Sequence, residues 1–343
     1  MLSKARFVLS KSKLIKQYKK SLELADIVSY SYKTNPIIGV HLEKETPCMF
    51  SVHSVESVLQ LKFSERIWFF AQALSLRELD LLFKENVFRF VVDNISDLNI
   101  LLRYCKRKNK KIEVLLRMKL KEYTIHTGKH FVYGMYSSKI NKIIPELKKN
   151  PQVIKLGIHF HRKTQNTSEW SLKKEFCDAL SIRNLKNLDY VNIGGGIPAI
   201  YKNYSPKILE NIFVKIKKFN EFLSSNNITM IIEPGRFIAA SPIILEADIV
   251  SIYKKNIIIN CSVFNSAMDT FIANHRLVVK GELDSGEKYT IKGCTPDSMD
   301  IFRYSVYLNN PKINDKIIFL NAGAYNFSCD FCNLAKLETV IVD

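Results

Sequence analysis

Between residues 27 and 233 short apolar runs alternate with amphipathic helical stretches, and few folds accommodate that rhythm. The runs are Ile27 to Lys33, Met49 to Val52, Arg66 to Ala71, Arg89 to Asp93, Ile112 to Lys119, Val153 to His161, Tyr190 to Ile193 and Thr229 to Glu233. Their length and apolar content read as strands. Leu76 to Asn86, Ser96 to Lys108, Ser137 to Lys149 and Pro206 to Ser225 read as helices between them. A βα unit repeated eight times over roughly 210 residues predicts a (β/α)8 TIM barrel. Chemistry in such barrels gathers at the carboxyl ends of the strands, where Lys33, His161, Gly194 to Gly196 and Glu233 all fall.

After about Phe237 the texture changes. Runs such as Ile243 to Tyr253, Ile257 to Asn260, Leu277 to Val279, Tyr289 to Lys292 and Lys316 to Leu320 are separated by turns like Asp284-Ser285-Gly286, with no helix of comparable length. The expected organisation is a barrel over residues 10–236 and a C-terminal all-β domain over 237–343, with a strand from residues 1–9, around Ala5 to Leu9, as a candidate addition to the second domain.

The 343 residues leave ample core for two domains. A net charge of +18 raises the question of a polyanion partner. The lysines are scattered over helix surfaces rather than clustered with aromatics, so nucleic-acid binding is not expected. The basic stretch to Lys20 resembles a transit peptide in composition, yet Phe7 to Leu24 also reads as a strand and a helix, and the structural reading is preferred. No apolar run approaches the ~20 residues that span a bilayer, so a soluble protein and no membrane partner are expected. Seven cysteines, an odd number without a secretory leader, point to a reducing cytoplasm. Cys329 and Cys332 have the spacing of a metal knuckle but no second pair, so no metal site is expected.

Lys33 stands in Ser29-Tyr30-Ser31-Tyr32-Lys33-Thr34-Asn35-Pro36. Period two places Ile27, Ser29, Ser31 and Lys33 on one face, the small-residue side, where a flat ligand has room. Gly194-Gly195-Gly196 follows the seventh barrel strand, and glycines there expose backbone N–H groups to a phosphate. Glu233-Pro234-Gly235-Arg236 follows the eighth, and Arg236 suits a dianion. The loops after strands seven and eight are the usual phosphate pocket of these barrels. An amine, an acid and a phosphate cradle at neighbouring strand ends describe a pocket for pyridoxal 5′-phosphate.

On these residues the chain resembles the fold-type III pyridoxal-phosphate decarboxylases, the group of ornithine, lysine and diaminopimelate decarboxylases. The family's Tyr-Ala-Val-Lys-x-Asn-Pro corresponds to Tyr30 to Pro36, its Gly-Gly-Gly to Gly194 to Gly196, and its Glu-Pro-Gly-Arg to Glu233, Pro234, Gly235 and Arg236. Its Phe-His-Val-Gly-Ser corresponds to Phe160-His161-Arg162-Lys163-Thr164, and Gly323-Ala324-Tyr325 supplies a tyrosine. The resemblance implies that Lys33 holds the cofactor as a Schiff base, that Glu233 meets the pyridine nitrogen, that His161 stacks on the ring and that Tyr325 reaches the phosphate. It also implies a homodimer with active sites at the interface.

The family's Gly-Pro-Thr-Cys-Asp-Ser-x-Asp appears as Gly293-Cys294-Thr295-Pro296-Asp297-Ser298-Met299-Asp300, with proline and cysteine exchanged. The resemblance gives Asp297 the distal amine of the substrate. Extended geometry through Pro296 would turn the Cys294 thiol to the same side as the family cysteine, displaced by roughly 6 to 7 Å. Cys294 is therefore either the proton donor or a bystander, and hydrogen-bond reach favours the bystander. Ser51 replaces an aspartate of ornithine enzymes, and Arg162-Lys163 replace a small pair. Ser262 to Thr270 lacks the arginine expected for a second substrate carboxylate. The expected activity is decarboxylation of a basic amino acid, ornithine or lysine, to a diamine in polyamine biosynthesis. Alternatives are a diaminopimelate or arginine decarboxylase, an amino-acid racemase, or a non-catalytic regulatory homologue of ornithine decarboxylase.

Overall fold

The structure is a computed structural model and describes residues 4–120 and 133–343. The chain divides into two compact units. One comprises Tyr18–Pro198 and Lys207–Gly235; the other comprises Met1–Gln17, Ala199–Pro206 and Arg236–Asp343. Neither is a continuous stretch of chain.

In the first unit the expected barrel is present. Strands β2 (Ile27–Ser31), β3 (Met49–Val52), β4 (Ile67–Ala71), β5 (Arg89–Val92), β6 (Ile112–Arg117), β7 (Val153–His159), β8 (Tyr190–Asn192) and β9 (Thr229–Ile232) close in that order, all parallel. Strands buried on both faces need near-continuous apolar runs, and Ile-Trp-Phe-Phe-Ala of β4 is one. Side chains fill the interior, as in other barrels of this size: Trp68, Val91, Leu115, Tyr190 and Ile231, from five different strands, form one buried cluster. Trp68 meets Tyr190 edge to face at 5.7 Å. A Cβ at Gly157 would stand 2.5 Å from the Tyr190 carbonyl oxygen and from Leu115, so only glycine lets β7 and β8 close there.

The helices between strands start where caps are encoded. Ser75 and Glu78 form a reciprocal capping box at the Leu76–Lys84 helix, and Asn94 accepts from the Asp97 N–H at the Ile95–Lys108 helix, which ends on left-handed Asn109. The other anticipated helices run Ser137–Lys148 and Lys207–Ser224.

One expectation fails locally. The first barrel strand does not run to Lys33: β2 ends at Ser31, and Tyr32–Thr34 is a 3-10 turn. Asn35 caps the Pro36–Glu45 helix by accepting from the N–H groups of Ile37 (3.0 Å) and Ile38 (3.5 Å), with Pro36 at its first position. The helix start claims the residues before it, and strand alternation stops two residues early.

In the second unit the sheet order is β12-β15-β10-β11-β13-β14, with β1 paired to β10 and β16. These strands are β1 (Arg6–Ser10), β10 (Ile243–Tyr253), β11 (Asn256–Ile259), β12 (Val278–Val279), β13 (Leu283–Lys292), β14 (Ile301–Tyr307), β15 (Lys316–Leu320) and β16 (Glu338–Val342). The first half of β10 pairs with β1 and β15; its second half, from Ile249, pairs with β11 across a register shift at Ile249/Ser251. Asp284-Ser285-Gly286 does not separate two strands as expected. It lies within β13 at a shift of register, since Leu283 and Lys288 both face Tyr307, and Gly286 takes φ 122°.

Candidate active site

Lys33 is exposed on the turn after β2, between two buried neighbours, Tyr32 and Thr34. The Tyr30 hydroxyl donates to the Asn35 carbonyl at 3.0 Å and the Tyr32 hydroxyl to Gln60 Oε1 at 3.0 Å, which pins the backbone on both sides of the lysine. The loop after β9 lies against the same turn. The Ser31 N–H donates to the Pro234 carbonyl, and a Cβ at Gly235 would stand 2.3 Å from the Thr34 hydroxyl oxygen.

Glu233, directly after β9, is buried with three partners. Its Oε1 accepts from Ser51 Oγ and Asn192 Nδ2, each at 2.8 Å, and its Oε2 faces His159 Nε2 at 3.3 Å. Burial alone would raise its pKa, but His159, Ser51 and Asn192 outweigh that and hold it down to about 2. The group is a carboxylate at any ordinary pH.

The Gly194–Gly196 loop crosses the same mouth. The Gly194 N–H is taken by Asn192 Oδ1 at 2.9 Å, and its carbonyl accepts from the Glu233 N–H at 2.9 Å. Gly194 and Gly196 sit at φ 68° and 100°, in the left-handed region. A Cβ at Gly195 would stand 2.6 Å from the Glu233 carbonyl oxygen and 3.9 Å from His161 Cε1. Loss of solvation, with Arg117 and His159 nearby, pushes the His161 pKa down to about 3, so the ring is neutral at neutral pH. Lys33, His161, the glycine loop and Glu233 are thus brought to one end of one barrel.

Residues 12–240 match the family model described as pyridoxal-dependent decarboxylase, pyridoxal binding domain. The chain belongs to this family. Among curated relatives, the probable chloroplastic diaminopimelate decarboxylase of Oryza sativa is 27% identical over 243 residues, 65% of this chain and 49% of the relative. The probable ornithine decarboxylase of Dictyostelium discoideum is 24% identical, with 94% of this chain and 76% of the relative covered. The aligned stretch spans about half of the rice relative and 62% of the diaminopimelate decarboxylase of Archaeoglobus fulgidus. The fold is that of the lysine/ornithine decarboxylase of Vibrio vulnificus solved with cadaverine, at TM-score 0.80, 20% identity and coverage of 99% and 94% of the two chains. Diaminopimelate decarboxylase of Helicobacter pylori, solved with L-lysine, superposes with TM-score 0.82 at 18% identity, covering 99% and 92%.

The donor set of this decarboxylase-family barrel fits the cofactor. It offers an amine on Lys33, a carboxylate kept ionised in a buried pocket, and a loop whose glycines admit no side chain without striking backbone. Arg162 and Lys163, the unusual pair after His161, are matched by acids: Arg162 by Glu175, and Lys163 by Glu169 at 2.8 Å.

The remaining candidates lie in the strand unit. Arg236 is buried and bonds Asp269 with both terminal nitrogens, Nη2 to Oδ1 at 2.9 Å; its guanidinium lies 4.5 Å from the centre of the Tyr325 ring. Its charge is matched by Asp269. Asp297 is half-buried, and its Oδ1 accepts from the Met299 N–H at 2.7 Å. Cys294 is an exposed free thiol, its pKa raised by desolvation and by Asp300. The stretch around it is bent at residues 294–296, where the sequence predicts an extended chain. It bends around buried Asp300, whose carboxylate accepts from the N–H groups of Val263 and Thr295 and from the Thr295 hydroxyl, while its carbonyl accepts from Gly293. Strand alternation therefore does not relate Cys294 to Pro296.

Sequence reasoning missed His159, Asn192 and the hydroxyl of Ser51 as the holders of Glu233, and Asp269 as the partner of Arg236. His159 was readable: it precedes His161 by two residues, the spacing that shares a strand face.

Proposed function

We propose that this chain holds pyridoxal 5′-phosphate on Lys33 and decarboxylates a basic amino acid, ornithine or lysine first, to a diamine. The observation that carries the reading is the ionised Glu233 carboxylate, gripped by Ser51, Asn192 and His159 in the barrel whose β2 turn presents Lys33. The bound cofactor supplies an aldehyde to condense with amines and a pyridinium ring that takes up the charge left by departing carbon dioxide.

The chain's own residues do the rest. Lys33 provides the amine that anchors the cofactor and is exchanged for the substrate amine. Glu233 accepts the ring N–H and keeps that proton on the nitrogen. Neutral His161 flanks the ring without adding charge. Arg236, Tyr325 and the backbone of Gly195, Gly196 and Gly235 are assigned to the phosphate, and Gly194, whose N–H is given to Asn192 Oδ1, to the turn that presents them. Asp297 is assigned to the distal ammonium of the substrate, and the active molecule to a homodimer with its sites at the interface. Protonation at the substrate carbon is assigned to a group other than Cys294, whose loop bends away from the extended path.

Support for a basic substrate comes from Asp297, one of two acids in the Gly293 to Asp300 segment, the other, Asp300, being buried with its carboxylate occupied by Val263 and Thr295. Relatives named for diaminopimelate make that amino acid the first competitor.

Borohydride reduction after incubation with cofactor should leave a pyridoxyl group on the peptide carrying Lys33. Label on another lysine, or none, would overturn the reading. Carbon dioxide release from ornithine, lysine, diaminopimelate and arginine then ranks substrates, and a preference for diaminopimelate would remove the diamine assignment while leaving the cofactor chemistry intact.

A further inference from the structure

Glu233 is held from three strands. Ser51 comes from β3, Asn192 from β8 and His159 from β7, and the first two both act on Oε1. His159 is alone among the described residues in bonding Oε2. Its side chain is 1% exposed, and its Nδ1 has no hydrogen-bond partner among the described residues. Phe70 closes on the ring edge to face, at 5.1 Å and 85°, and His53 stacks on Phe70 at 4.5 Å. The charged and titratable groups around the His159 imidazole are Glu233, Arg117, Asp93 and the imidazoles of His161 and His53, with Arg117 and Asp93 paired at 3.5 Å.

A neutral imidazole carries one N–H. Beside a carboxylate that hydrogen belongs on Nε2, because a bare lone pair there would face the negative oxygen. Nδ1 is then an unprotonated acceptor, and no buried N–H is orphaned. A doubly protonated ring would bury an unpaired donor at Nδ1, the costlier defect. Ser51 and Asn192 fix one oxygen and leave the carboxylate free to swing about it; the bond to Oε2 fixes the plane.

We propose that His159 is a positioning residue, a neutral imidazole with its proton on Nε2 whose bond to Oε2 sets the plane of Glu233 toward the cofactor ring nitrogen. The proposal rests on the assignment of Glu233 to that nitrogen. In this role His159 acts through Glu233, to which its Nε2 is bonded.

Two measurements test it. Imidazole nitrogen NMR of the wild-type protein, without and with cofactor, should show His159 protonated at Nε2 only, unchanged between about pH 6 and pH 9. A proton on Nδ1, or a doubly protonated ring, would overturn the proposal. Ring-nitrogen-labelled cofactor then reports the proton that Glu233 keeps. In His159→Leu its signal should move toward the unprotonated pyridine position and kcat should fall roughly 10- to 100-fold with KM little changed, the size of one hydrogen bond to a charged group. His159→Gln, which restores an N–H donor, should hold the protonated signal. An unchanged signal in a Leu variant that carries cofactor on Lys33 would sink the proposal while sparing the function. Absence of cofactor on wild-type Lys33 would sink the function, and the toward-Glu233 tautomer would still be decided in the cofactor-free protein. If the Leu variant fails to fold, the wild-type tautomer and the Gln variant decide.

Discussion

In the proposed function most of the chemistry turns on Glu233, and the acidity of that residue is a stability statement as well. Its folded pKa of about 2 lies below the ordinary 4.5 of a glutamate. A depressed folded pKa contributes stability that is fully present above the unfolded value and is lost as pH falls toward the folded one. The loss therefore sets in as pH falls below about 4.5, the ordinary glutamate value, and the carboxyl begins to take up a proton. Urea unfolding of wild type and Glu233→Gln below that pH should show the gap between them narrowing as the pH drops; a constant gap would mean the carboxylate is not held as described. Asp297 is argued on different grounds. Removing one partner of a desolvated charge pair costs about 2 to 5 kcal/mol, so Asp297→Ala should lower kcat/KM for the best basic substrate by roughly 30-fold or more, with the cofactor absorbance intact. Full activity in that variant would exclude Asp297 as the amine's partner.

At the scale of elements, the position of Lys33 depends on where a helix begins. Asn35 and Pro36 start the Pro36–Glu45 helix, and the 3-10 turn just before it carries the lysine. Loss of an N-cap costs about 1 kcal/mol, so Asn35→Ala should lower the unfolding free energy by that much. Frayed backbone at the turn should also slow cofactor attachment to Lys33, followed by the rise of visible absorbance after mixing. The Gly293 to Asp300 loop has its own anchor. Asp300 is buried and its carboxylate accepts three hydrogen bonds, two from backbone N–H groups. Asp300→Ala would leave those donors unpaired, each worth about 1 to 3 kcal/mol. Denaturant titration should register a loss larger than that of Asp297→Ala; equal losses would contradict the anchoring role.

For the whole molecule the proposal of a homodimer with sites at the interface has a direct consequence. Lys33→Ala and Asp297→Ala should each be inactive or nearly so by themselves. Mixed, unfolded and refolded together, they should regain activity, since a heterodimer of this kind carries one site with both residues intact. Activity of the mixture no greater than the sum of the separate variants would place Lys33 and Asp297 of each site on the same subunit. Among the described residues no helix is long and apolar enough to cross a membrane.

The sequence by itself determined the barrel, because parallel strands buried on both faces demand apolar runs and the helices between them demand a different period; both repeats stand in the chain from Ile27 to Ile232. It also determined that Lys33, His161, Gly194 to Gly196 and Glu233 share one end, since each follows or ends a strand. Local competition was less legible. Alternation runs through Lys33 on paper, yet the Asn35 cap withdraws the last two residues from β2, and Asp284-Ser285-Gly286 reads as a turn although its flanks pair with one residue, Tyr307. Only the tertiary structure decided who holds Glu233: Ser51, His159 and Asn192 lie 182, 74 and 41 residues away along the chain and meet because β3, β7 and β8 close into one ring. It likewise gave Arg236 to Asp269, 33 residues away. Periodicity records which face a residue occupies, whereas a hydrogen bond between distant strands depends on register, which sequence periodicity leaves open.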